Sequence, residues 1–178
     1  MIKKNLLAIK SGLPVINYKF KKYNSIGSEE VKAAIKVIKK KELSSFLAGK
    51  LEGGIHVQKF ENYLKKFYRV KHAITVNSWT SGLICAVGAL DISPGDEVIT
   101  TPWSMSASAI SILHWNAIPV FADIDPITYC IDPFSIKKKI TKKTKAIIAV
   151  DIFGRGCDIS IIKKIIKGKD IKIISDSA

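Results

Sequence analysis

A chain of 178 residues, 47% hydrophobic and 25% charged, has the composition of a globular protein and the length to bury about two-thirds of its unfolded surface. No apolar run reaches the roughly 18 residues that cross a bilayer, and Lys10 cuts the stretch from Leu6 to Ile9 short of a signal-peptide core, so a cytoplasmic location is expected. The net charge of +14 is almost all lysine, with Arg69 and Arg155 the only arginines, and its placement at Lys32, Lys36, Lys39 and Lys40 argues for solvated helix faces rather than nucleic-acid recognition.

Residues 1–24 show no clean period, contain Pro14, and read as an N-terminal arm. Ser28 is a candidate helix cap. Glu29 and Glu30 suit the first turn, and Val31, Ala34, Ile35 and Ile38 form one apolar stripe. Residues 43–55, with Gly49, Gly53 and Gly54, read as an extended loop. A second amphipathic helix should follow, with Val57, Phe60, Leu64 and Phe67 inward. The chain then alternates between short apolar strands, expected at 73–77, 97–101, 118–121, 145–150 and 171–175, and helices at about 81–90, 104–115, 133–139 and 158–167. Asp132-Pro133 and Asp158 are good helix starts. Strands this continuously apolar have both faces covered, and the alternation points to an open, mostly parallel α/β sheet. Such sheets bind ligands beyond the carboxyl ends of their strands.

Cys85, Cys130 and Cys157 are far apart and suit reduced thiols, with Cys85 expected to be buried in an apolar helix. His56, His72 and His114 have no metal-ligand spacing, so no metal site is expected. Four segments fall where a strand gives way to a turn or helix. Asn77-Ser78-Trp79-Thr80-Ser81-Gly82 is either an anion site at a helix N-terminus or a turn in which Thr80 or Ser81 caps the helix. Pro94-Gly95-Asp96-Glu97 has good turn residues. In Thr101-Pro102-Trp103-Ser104-Met105, the methionine either lies on a flat ring or packs in the core. Asp176, in Ser175-Asp176-Ser177, either pairs with a cationic ligand atom or caps a following helix. No GxGxxG or P-loop pattern is present.

In order, these segments resemble the DegT/DnrJ/EryC1/StrS family of sugar aminotransferases. Asn77 to Leu83 is similar to its SGTxAL phosphate loop, Pro94 to Ile99 to PGDEVI, and Ile118 to Asp125 to PVFxDID. Ile140 to Ile147 is similar to ITxxTKAI, and Phe153-Gly154 with Asp158, then Ser175 to Ala178, to the GxxxD segment and EDxA. The resemblance covers residues 25–178. It implies the three-layer α/β large domain of the aspartate aminotransferase type, here its N-terminal part, with the rest of that domain and the small domain absent.

It further implies the cofactor pyridoxal 5′-phosphate (PLP), with Thr80 and Ser81 on the phosphate, Met105 against the pyridine ring and Asp176 on the pyridinium nitrogen. Ser175 stands where the family has Glu, and many members carry an aromatic residue at the place of Met105. The Schiff-base lysine is implied to lie beyond residue 178, so this chain alone is expected to be inactive. The implied reaction moves an amino group from glutamate to a nucleotide-linked keto-sugar, in a cytoplasmic homodimer that makes amino sugars for surface polysaccharide or lipopolysaccharide. A PLP-type sugar dehydratase, with histidine in place of the lysine, and a non-catalytic remnant are the alternatives.

Overall fold

The computed structural model describes residues 9, 16, 18–41, 43 and 53–178. Most of the expected arm over 1–24 and of the loop over 43–55 therefore lies outside the described residues. The chain divides into two compact units, Met1–Tyr63 and Leu64–Ala178.

In the first unit, α1 (Ser28–Lys40) begins one residue earlier than expected. Gly27 is the N-cap, and the Glu30 carboxylate turns back to accept the Gly27 N–H at 2.7 Å. Ser28 is thus the first helical residue. Helix α2 (Ile55–Tyr68) spans the boundary between the units. Both apolar stripes form, yet neither helix buries a residue: Val31, Ile35, Ile38, Val57, Phe60 and Phe67 are all exposed. Helical periodicity predicts which residues share a face, and it does not supply the surface that covers them.

The second unit holds the sheet. Helix α3 (Trp79–Gly88) precedes β1 (Glu97–Thr100), α4 (Ala107–Leu113), β2 (Ile118–Phe121), α5 (Pro133–Lys139), β3 (Thr144–Val150), α6 (Ile159–Ile165) and β4 (Lys172–Asp176). The four strands are all parallel, in the order β2–β1–β3–β4. Asp132 and Asp158 cap α5 and α6 as expected. Alternate residues divide between two cores. Ile99, Ile147 and Ala149 pack on the face that also holds Ile136 of α5 and Ile162 of α6. Val98, Ala146, Ile148 and Val150 pack on the opposite face, with Val87 of α3 and Ile112 of α4. The result is the expected three-layer arrangement.

Three expectations need correction. Residues 73–77 form no strand; Ile74 is 84% exposed, and no other strand of the described residues runs alongside to pair with the segment. A strand exists only within a ladder, so β-propensity alone does not make one. The helix expected at 104–115 is shorter, because residues 102–104 make bends and the helix begins only at Ala107. Cys85 is exposed rather than buried, while Cys130 is buried and Cys157 half-buried.

The turn at Pro94-Gly95 uses a left-handed glycine (φ 86°) whose N–H reaches the Asn116 carbonyl. Gly88 is required for a different reason. The Trp115 indole donates to the Ile84 carbonyl at 2.8 Å, which holds its ring where a Cβ on residue 88 would approach to 2.1 Å. Gly88→Ala should destabilise the chain by about 1–3 kcal/mol, although alanine gains about 1 kcal/mol of helix propensity. A lowered urea midpoint with an unchanged m value is the expected result; an unchanged or raised midpoint contradicts this packing.

Candidate functional site

The period of a β-strand puts Asp176 where it is. Ile174 packs against the core beneath α3 and α4, and Asp176, two residues on, faces the same side at the carboxyl end of β4. The residue is only 4% exposed. A carboxylate this buried needs donors, and it receives one from each helix. The Trp79 indole N–H, from the first residue of α3, meets Oδ1. The Ser108 hydroxyl, from the first turn of α4, donates to Oδ2 at 2.8 Å. Ser108 in turn lies 2.8 Å from the Ser104 hydroxyl. Both of these donors to Asp176 thus come from helices that precede it in the chain.

Ser78 is the cap of α3, its hydroxyl accepting the Ser81 N–H at 3.2 Å and its carbonyl the Gly82 N–H. This leaves the side chains of Thr80 and Ser81, both half-buried, out of the capping role foreseen as one alternative for them. The N–H groups of Trp79 and Thr80 belong to the same first turn, whose donors point out of the helix end and favour an anion. Trp79 thus joins an anion-favouring helix end to a buried carboxylate.

Met105 lies three residues before Ser108 in the loop after β1 and is 78% exposed, so the core-packing alternative for it fails. Among the described residues, Thr100 Oγ1 is the buried side-chain polar atom without a hydrogen-bond partner. It closes β1 on the same sheet face as Val98, at the same edge of the sheet as Asp176.

The neighbouring residues of opposite parity build a second network. Asp151, just past β3, accepts the Cys157 N–H at 2.8 Å, the Ser177 hydroxyl at 2.6 Å and the Ser175 hydroxyl at 3.3 Å. Burial pushes the Asp151 carboxyl up, but these hydrogen bonds outweigh it and hold the group below the ordinary carboxylate value. Ser175 thereby has a role: a glutamate there would set a second carboxylate against Asp151. Burial, with Cys130 and Asp151 alongside, pushes the Cys157 thiol up to about 12. The loop between Asp151 and Cys157 holds exposed Phe153 at φ 52°, a conformation that costs a bulky residue about 1 kcal/mol or more and recurs near functional sites.

Of the residues expected at a site, the structure brings together Asp176 and the turn of Thr80 and Ser81, with Met105 in the adjoining loop. Sequence reasoning missed Trp79, Ser108 and Asp151. A serine every second residue from Ser104 to Ser108 was the available signal for one of them. A groove of about 510 Å3, lined by Thr141, Lys142, Lys145 and Lys169, lies at the amino ends of β3 and β4, the opposite edge from Asp176.

Residues 26–178 match the sequence profile of the DegT/DnrJ/EryC1/StrS aminotransferase family. The chain belongs to this family. Among its relatives, the spore coat polysaccharide biosynthesis protein SpsC of Bacillus subtilis (strain 168) is 38% identical over 153 residues, 86% of this chain and 37% of that protein. An aminotransferase from Psychrobacter cryohalolentis is 32% identical, with a TM-score of 0.79 over 88% of this chain and 38% of its own. The E. coli GDP-4-keto-6-deoxy-D-mannose-3-dehydratase, solved with bound hydrated PLP, is 28% identical, with a TM-score of 0.76 over 88% of this chain and 40% of its own. The chain thus spans well under half the length of these similar proteins. Among the described residues, no helix is long and apolar enough to cross a membrane.

The lowered Asp151 value ties this network to acid stability. The stabilisation is present above the unfolded carboxylate's range and is lost as pH falls through the lower folded value. Ser177→Ala removes one donor, so urea unfolding should show the variant less stable than the parent at pH 7, with the gap closing at acid pH. A gap that stays constant with pH contradicts the assignment.

Proposed function

We propose that this chain carries the first part of the cofactor-binding large domain, over residues 25–178, of a PLP-dependent sugar aminotransferase. The observation that carries the reading is Asp176, a buried carboxylate joined through Trp79 to the N-terminal turn of α3. The donor set fits the cofactor at both ends. A helix N-terminus with two hydroxyl side chains suits a phosphate, and a carboxylate suits a cationic ring nitrogen. When bound, PLP supplies the electron sink and carries the amino group.

In this reading Thr80 and Ser81, with the first-turn N–H groups of α3, bind the phosphate. Met105 lies against the ring face, which its exposure permits. Asp176 keeps the proton on the pyridine nitrogen. The lysine that binds the cofactor covalently follows Asp176 in the family pattern, and none of this chain's lysines is given that role.

The substrate we assign is a nucleotide-linked keto-sugar, with glutamate as amino donor. The setting is a cytoplasmic homodimer working in surface polysaccharide or lipopolysaccharide synthesis. The likeness to SpsC and to the GDP-sugar dehydratase supports the sugar class. A dehydratase reading draws on the same likeness, and it would use the same four side chains.

Pyridoxamine phosphate, which cannot react with surface lysines, tests the cofactor site directly. Saturable binding is expected, with pyridoxamine lacking the phosphate bound at least about tenfold more weakly, since each hydrogen bond to a charged group contributes about 1.5–3 kcal/mol. Thr80→Ala should narrow that gap. Equal affinity for the two ligands contradicts the assignment of the α3 turn.

A further inference from the structure

Resting on the cofactor reading above, we infer that Trp79 is a positioning residue, which aims the Asp176 carboxylate at the cofactor's ring nitrogen through its indole N–H. Indole can only donate, so its bond to Oδ1 fixes that oxygen as acceptor, while Ser108 takes Oδ2. A carboxylate offers about four lone-pair sites, and two donors leave room for a ring N–H. With one donor on each oxygen, rotation of the carboxylate breaks both bonds.

The indole is itself held. A Cβ on Gly82 would approach the Trp79 ring to 3.2 Å, so residue 82 leaves space for that ring. Yet Trp79 is 45% exposed, so filling a core is not its main role. It is also the residue before Thr80 in the first turn of α3. The turn assigned to the phosphate therefore also aims the group assigned to the ring nitrogen. One helical turn sets the register between the two ends of the cofactor.

The test is a double-mutant cycle on the full chain, with pyridoxamine phosphate as the probe. Trp79→Phe keeps a ring and removes the N–H; it should weaken binding about tenfold in the parent. In an Asp176→Ala background the same change should weaken binding by less than about twofold, because the acceptor is gone. A ring that only supports the fold would cost equally in both backgrounds. That result, or no loss in the parent, overturns the proposal and leaves the cofactor reading standing. Absence of binding by the unsubstituted chain overturns the cofactor reading and the proposal with it.

A ligand-free measurement covers the case in which Trp79→Phe fails to fold. The 1H–15N spectrum of the chain carries indole signals from Trp79, Trp103 and Trp115. Asp176→Ala should move the Trp79 signal upfield and leave the other two in place, which also reports an intact fold. An unmoved Trp79 signal overturns the proposal.

Discussion

A carboxylate buried at the end of a strand is tolerable only where donors meet it, and the arrangement around Asp176 follows from that requirement. Removing one such donor from a buried carboxylate costs roughly 1.5–3 kcal/mol. Here the donors come from the first residue of α3 and the first turn of α4. Both helices must therefore start at the carboxyl edge of the sheet and lie on the same face of it. The core beneath them, with Val87, Ile112 and Ile148, holds them there.

The period of two along β4 then separates two tasks. Asp176 faces α3 and α4, while Ser175 and Ser177 turn to the other side and meet Asp151. Asp151 is stabilised as an anion by hydroxyl and backbone donors. It ties the end of β3 to the end of β4, so the strand carrying Asp176 is fixed from the face that the candidate site does not use. Serine rather than glutamate at position 175 follows from this: small donors serve a neighbouring carboxylate, and a second anion opposes it.

Much of this was legible in the residues alone. Short apolar runs such as 146–150 read as strands because a strand covered on both faces has no room for alternation and the run is too short for a helix. Asp132-Pro133 and Asp158 mark helix starts through local hydrogen bonds, which need no tertiary context. Asp176, Thr80 and Ser81 could be singled out because strand-to-helix turns recur at ligand edges. The Trp79–Asp176 and Ser108–Asp176 bonds were not legible, since they join residues 97 and 68 positions apart. Nor was the fate of 73–77, whose residues suit a strand but whose pairing depends on a neighbour. The same holds for the stripes of α1 and α2 and for Cys85, where periodicity identified a face and the surroundings decided its burial.

The central claim is that Asp176 and the first turn of α3 form one cofactor site at the carboxyl edge of the sheet. A crystal structure of the chain with pyridoxamine phosphate bound tests it most directly. The account predicts the phosphate on the Thr80–Ser81 turn and the ring nitrogen within hydrogen-bond distance of Asp176. Ligand found instead in the lysine-lined groove at the amino ends of β3 and β4, or bound with its ring nitrogen turned away from Asp176, would contradict it.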